Sequence, residues 1–274
     1  MRPKTIGIVI STYNHPAWLE KTLWGYMYQT HPDFELIIAD DGSGNETRAL
    51  IEHYRKIAFP DIKHVWHSDK GFQKSRILNE ALLVATSEYL IFTDQDCIPR
   101  NDFVETHLKL AEEGFLLSGG YFKLPMDISL KITEDDVASQ RSFDLSWLRE
   151  HGLGCSFKNT KLIRSSAFSV CMNFITPTKT TWNGMNSSGW RKDMFAVNGY
   201  NEEMQYGGQD REFGERLFNM GIRSKQIRYS AICLHLDHKR PYKTDETMLK
   251  NRAIRKHTRQ EMIIRTPSGI MKLN

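Results

Sequence analysis

The chain has little that would direct it to a membrane, a disulfide framework or a nucleic acid. Only four cysteines occur in 274 residues, Cys97, Cys155, Cys171 and Cys233, widely scattered and without a C-x-x-C pair. With no secretory leader ahead of the strand-like opening MRPKTIGIVI, they read as reduced thiols in a cytoplasmic protein. No apolar run approaches the ~20 residues that a membrane-spanning helix needs. The net charge is a mild +4 and no RNA-binding signature appears, so nucleic acid is set aside as a partner. Internal repeats, low-complexity tracts and linkers are absent too, so residues 1–274 are expected to form one domain.

What is present is an ordinary globular composition, 40% apolar and 26% charged, able to bury a core without staples. The first hundred residues alternate two periods. TIGIVIS, FELIIAD, HVWHS and YLIFTD are short β-rich runs. Between them lie apolar stripes at helical spacing: Leu19, Leu23 and Met27; Leu50, Ile51 and Tyr54; Ile77, Leu78, Ala81, Leu82 and Ala85. This predicts an α/β fold with a mixed, mostly parallel sheet flanked by helices. In such sheets ligands bind beyond the carboxyl ends of the strands. Three runs end there in polar clusters, S-T-Y-N at 11–14, D-D-G-S at 40–43 and D-Q-D at 94–96. Later, 134–149 reads as helical and 176–190 as a mobile loop. RKDMFAV, REFGERLFNM and the basic C-terminal stretch read as helices, with IRSKQIRY and AICLHL as strands between them.

With sixteen aspartates in the chain, about one D-x-D pair arises by chance, so spacing alone decides nothing. Position says more. Side chains alternate along an extended chain, so Asp94 and Asp96 face one way if extension continues, and two such carboxylates suit Mg2+ or Mn2+. Either the strand simply reaches water here or it delivers both acids to a cation. In GGQDREF (207–213), two glycines let the backbone pass close to a bound ligand, and Asp210 is either a helix cap or an acid facing that ligand. In CLHLDHKRP, His235 and His238 are metal ligands or polar residues at a strand end, and imidazole beside carboxylate suits Mn2+. Trp182, Asn186 and Trp190 border the 176–190 loop, where Trp190 fits either an aromatic face for a ligand ring or a plain core role.

In order, VISTYNHPAWLEKTL, FELIIADDGSGNET, GFQKSRILNEAL and YLIFTDQDCIP resemble the nucleotide-sugar-binding segments of family-2 glycosyltransferases with the GT-A fold. NGYNEEMQYGGQDREFGERL resembles the C-terminal acceptor and catalytic motif of the galactosyltransferase and chondroitin-synthase-like branch. The resemblance implies a nucleotide-sugar-binding half (1–122), an acceptor and catalytic half (123–240) and a basic tail (241–274). It implies that Thr12 and Tyr13 line the nucleotide pocket, Asp41 meets the base, Arg76 lies near the diphosphate and Asp94 contacts ribose or sugar. It makes Asp96 a ligand of Mn2+ or Mg2+ with His235, and His238 a further candidate. Asp210 matches the general base, while Asn186, Trp190, Gly207, Gly208 and Gln209 are expected on the acceptor or sugar. Gln209 stands where the family usually has glutamate.

The implied activity is inverting transfer from a nucleotide sugar, UDP-linked, to a hydroxyl of a saccharide or lipid-linked saccharide. The structural alternatives are a core role for Tyr13, a turn at Asp40–Asp41 and a solvated cation at Arg76. An inactive nucleotide-sugar-binding homologue is the rival that Gln209 prompts; a nucleotidyltransferase would lack the G-G-x-D segment. The basic segment 239–265 reads either as a solvated helix or as a contact with anionic lipid at the inner face of a membrane.

Overall fold

The computed structural model describes residues 2–59, 61–238 and 244–272. Among these, ten strands follow in chain order: β1 (Ile6–Thr12), β2 (Glu35–Asp40), β3 (Lys63–Trp66), β4 (Tyr89–Asp94), β5 (Cys97–Pro99), β6 (Phe115–Ser118), β7 (Gly120–Lys123), β8 (Ser187–Trp190), β9 (Arg223–Gln226) and β10 (Ile232–His235). Seven form one sheet in the order β3-β2-β1-β4-β8-β6-β9. The first four strands run parallel, β8 lies antiparallel between β4 and β6, and β9 runs parallel to β6. The mixed, mostly parallel sheet read from the sequence is the one that forms.

Burial on both faces explains the unbroken apolar runs of β1 and β2. Ile8 and Ile10 point into a cluster with Leu19, Leu23, Ile51 and Tyr54, from the helices Pro16–Met27 and Asn45–Ile57. The intervening Val9 points the other way, with Ile37, onto Ile77, Leu78, Ala81 and Leu82 of the helix Lys74–Val84. Each fully buried aliphatic side chain of this kind contributes roughly 1.5–3 kcal/mol.

A second sheet, in the order β5-β10-β7, pairs β10 antiparallel with β5 and parallel with β7. A buried polar chain ties it to the large sheet. The Tyr89 hydroxyl meets Ser188 Oγ at 2.9 Å, Ser188 Oγ meets His107 Nδ1 at 2.7 Å, and His107 Nε2 donates to Asn186 Oδ1 at 3.1 Å. Asn186 Nδ2 then donates to the carbonyls of Gly120 (2.7 Å) and Ala231 (3.0 Å). Burial pushes the His107 imidazole down to about 3, so the chain is one of neutral groups.

Two sequence readings change. The segment 134–149 is two short α-helices, Glu134–Ala138 and Leu145–Glu150, with a single 3-10 turn, Arg141–Phe143, between them; the break falls at Gln140, whose φ of 61° no helix continues through. The segment 176–190 ends in the wholly buried strand β8 rather than in a loop. Its S-S-G-W sequence carries no alternation because both of its faces are covered.

The C-terminal stretch is not a free tail. Helix Asp245–Gln260 packs along helix Gln209–Asn219, with Arg255 and Arg259 on Glu215 at 2.6 and 2.8 Å. The start of the basic segment, 239–243, lies outside the described residues. No helix among the described residues is long and apolar enough to cross a membrane.

Candidate active site

Parallel register brings the polar ends of β1, β2 and β4 to one edge, with Ser11 opposite Asp94 and Thr12 opposite Asp40. There Asp94 Oδ1 accepts from Ser11 Oγ at 2.7 Å and from Lys74 Nζ at 2.6 Å. Lys74 opens its helix and faces three acids. Burial alone would lower its pKa, but the carboxylates of Asp94, Asp210 and Asp96 outweigh that and hold the ammonium charged. Asp94, Asp96 and Asp210, from segments up to 116 positions apart (210 − 94), therefore share one electrostatic neighbourhood.

Asp210 sits on the second residue of helix Gln209–Asn219, behind two glycines at φ 108° and 97°. Those positive angles favour glycine, and a side chain on Gly207 would meet Met248 Sδ at 2.2 Å. Asp210 does not act as the helix cap, which is Gly208. Its Oδ1 is buried with no hydrogen-bond partner among the described residues. Burial foremost, then the charge of Asp94, raises its pKa, while Lys74 and the nearby Gly184 backbone N–H oppose the rise. Gly184 closes over this carboxylate, and any side chain there would stand 2.8 Å from Oδ1. A buried carboxylate of raised pKa, in the field of an ammonium, is chemically suited to taking a proton from an incoming hydroxyl.

Asp96, just past β4, is 5% exposed. Its Oδ2 lies 2.8 Å from His238 Nε2 and 3.6 Å from His235 Nε2. Burial would raise its pKa, but the histidines prevail and lower it. His235 Nδ1 donates to the Leu236 carbonyl at 2.9 Å, which fixes the ring with Nε2 as the atom that faces Asp96. Asp96, Cys97 and His235 present ligand atoms within 4.8 Å of one another. Burial drives the Cys97 thiol well above its usual range, so it stays protonated, and the carboxylate–imidazole set that remains fits Mn2+.

On the expected nucleotide side, Thr12 Oγ1 donates to Gln95 Oε1, and that side-chain amide pairs with the Tyr13 backbone on both edges at 3.1 Å. Tyr13 is 43% exposed with its hydroxyl on Asp69 at 2.9 Å, so it is no core aromatic. Asp41 accepts from His67 at 2.8 Å and from the Gln73 N–H at 3.0 Å, and burial raises its pKa. Its neighbour Asp40 serves the turn, accepting from the Ser43 N–H at 2.8 Å.

Some expected residues stand elsewhere. Arg76 points outward and pairs with Glu80 at 3.1 Å, leaving Lys74 as the cation against Asp94. Trp190 is core: it pairs with Tyr89 at the opposite end of β4 from Asp94, and its Nε1 donates to the Glu112 carbonyl at 3.0 Å. Asn186, with no exposed surface, is spent on the polar chain between the sheets and has no face for a sugar. Gln209 is buried, its Oε1 accepting from the Gly207 N–H at 3.0 Å, so it shapes the glycine turn. Sequence reasoning missed Gln95, which lies between Asp94 and Asp96, and Lys74, two positions before Arg76, from which helical phase would have separated it.

Residues 7–141 match the family described as glycosyl transferase family 2. The chondroitin synthase of Escherichia coli is 28% identical over 264 residues, which cover 88% of this chain and 36% of that protein. The chain thus spans little more than a third of that relative. A Pyrobaculum calidifontis mannosyltransferase solved with GDP-Man and Mn2+ superposes at TM-score 0.57 with 18% identity, over 88% of this chain and 59% of that one. The S. aureus TarS fragment 1-349 with UDP-GlcNAc superposes at TM-score 0.60 with 15% identity, over 87% and 60%. Residues 7–141, which hold the parallel edge with Asp94 and Asp96, therefore form a family-2 glycosyltransferase domain, and the chain has the GT-A fold.

Proposed function

We propose that the protein is an inverting, metal-dependent glycosyltransferase that moves a sugar from a UDP-linked donor to a hydroxyl of a saccharide or glycolipid acceptor, with Asp210 as general base. The observation that carries this reading is the convergence of Asp94, Asp96 and Asp210 around Lys74. Family-2 relatives that build polysaccharides, and neighbours solved with nucleotide sugars, support the substrate class.

Each residue takes a defined part. Thr12, Tyr13 and Asp41 line the base and ribose end, beyond the carboxyl ends of β1 and β2. Asp94, fixed by Ser11 and Lys74, is placed to accept from sugar or ribose hydroxyls. Asp96, His235 and His238 would hold Mn2+ or Mg2+, which as a Lewis acid stabilises the charge developing on the leaving diphosphate. Asp210 Oδ1 takes the acceptor proton as attack proceeds from the face opposite the diphosphate, so no covalent intermediate is needed. Gln209 does not argue for an inactive homologue, because its amide oxygen makes the backbone contact that a glutamate oxygen would make.

The four thiols are free, which fits a reducing, cytoplasmic setting. Peripheral membrane contact through the C-terminal helix would use Lys250, Arg252 and Lys256, since Arg255 and Arg259 are held by Glu215.

Asp210→Asn is the decisive variant. Turnover should fall by roughly 10²–10⁴-fold while UDP binding with Mn2+, followed by calorimetry, is kept. Full turnover in that variant removes the base assignment.

A further inference from the structure

A second concave surface lies beside the metal-ligand candidates. Cys97, His235 and Lys123 stand in register across β5, β10 and β7, so Lys123 is two strand spacings, ~10 Å, from Cys97. Along the open edge of β7 runs a cavity of about 560 Å³, lined among others by Tyr121, Lys123, Lys158, Lys161, Arg228 and Asp237. It begins one ring away from the site, where Tyr121 lies 5.1 Å from the His235 imidazole, centre to centre. It lies across β10 from β5, the strand that leads out of the donor half.

The cavity holds more positive charge than it neutralises. Lys123 is paired with Asp237 at 3.0 Å. Lys158, Lys161 and Arg228 have no carboxylate partner among the described residues; Lys161 donates to the Tyr121 carbonyl at 2.9 Å. The Arg228 Nε is buried and has no hydrogen-bond partner among the described residues. Burial lowers the pKa of both Lys161 and Arg228, and at Lys161 the charges of Arg228 and Lys158 push the same way. Half-buried cations crowded in a concavity, with a donor left unused, are the electrostatic complement of an anion.

We propose that this cavity binds an acidic group, a hexuronate carboxylate or a phosphate monoester, on the saccharide that accepts the transferred sugar. The inference rests on the transferase reading and adds the charge class of the acceptor. Bidentate recognition by Arg228, with Lys161 and Lys158 as supporting point charges, seats such a group beside the metal-ligand candidates.

The test uses the full chain with UDP and Mn2+ present, and three probes: a hexuronate-terminated disaccharide, its neutral hexose twin and a hexose 6-phosphate. An acidic probe should bind about 10-fold or more tightly than the neutral twin, with an advantage that shrinks as salt rises. The stronger of the two acidic probes identifies carboxylate or phosphate as the recognised group. Lys158→Glu, on an exposed side chain, and Lys161→Gln should each cut the advantage; Arg228→Gln should abolish it, and UDP affinity should stay unchanged throughout. Equal binding of acidic and neutral probes, an advantage that survives all three substitutions, or loss of UDP affinity in them overturns the proposal. Failure of the unaltered protein to bind UDP would instead count against the transferase reading itself, whatever the acidic probes do.

Discussion

Lys74 is the residue whose role follows most directly from its surroundings. Its amine is 2.6 Å from Asp94 and held charged by three carboxylates, so it neutralises a site that would otherwise collect like charges. Lys74→Met removes a charge-assisted hydrogen bond, worth about 1.5–3 kcal/mol, and turnover should fall roughly 10- to 100-fold. Because Lys74 opposes the rise in the Asp210 pKa, the acid limb of the pH–rate profile should also move upward in this variant; a profile that does not move would separate Lys74 from the base. Stability gives a second handle on Asp210. Its folded-state pKa is raised above the ordinary carboxylate value, so the folded form binds more protons in that window and stability falls as pH rises through it. Asp210→Asn should therefore raise the unfolding temperature of the ligand-free protein at neutral pH, with the gain shrinking on acidification as the native carboxyl takes up its proton. Lys74 was also legible from helix geometry. Positions two apart on a helix diverge by about 200°, so Lys74 shares the buried face of Leu78 and Ala81 while Arg76 shares the outer face of Glu80.

At the scale of elements, strands with strong periodic neighbours could be read and strands made of small residues could not. The runs ending at Thr12, Asp40 and Asp94 declared themselves because helices cover both faces. β8 did not, since Ser187, Ser188 and Gly189 carry no apolar signal; their burial depends on β4 and β6, which lie far off in sequence. The buried positions of Asn186 and Trp190 were hidden for the same reason, because each faces a partner that only the folded sheet supplies. The C-terminal helix was legible as a helix but not as a clasp. Asn251, wholly buried, donates to the carbonyls of Gln205, Tyr206 and Gly207 at 3.0–3.1 Å, and so holds the loop that leads into Asp210. Asn251→Ala leaves these carbonyls short of a donor and should cost about 1–3 kcal/mol in urea unfolding. Turnover should drop with UDP affinity kept, because the loop it releases belongs to the acceptor side. Loss of UDP affinity in step with turnover would mean that the clasp supports the whole edge.

Across the whole molecule, residue 122 is not a boundary between folding units. β8 and β9, from the second half, complete the sheet that β1 to β4 begin, and Asp96 from the first half meets His235 and His238 from the second. A cation at that junction would bind the native arrangement and not the unfolded chain, so its binding free energy adds to the stability of both halves together. At 100 times its dissociation constant the gain is about 2.7 kcal/mol. For a chain of this length that gain should raise the unfolding midpoint by on the order of 5 °C. Protons compete with the metal for the imidazoles and the carboxylate, so the shift should fade on acidification. Asp96→Ala and His235→Ala should each remove the Mn2+-dependent shift while the unfolding of the apo protein stays a single transition. A shift that persists in both variants would place the cation elsewhere. Two transitions, only one of them moved by Mn2+, would mean that the halves fold independently and that the acids and histidines meet without coupling them.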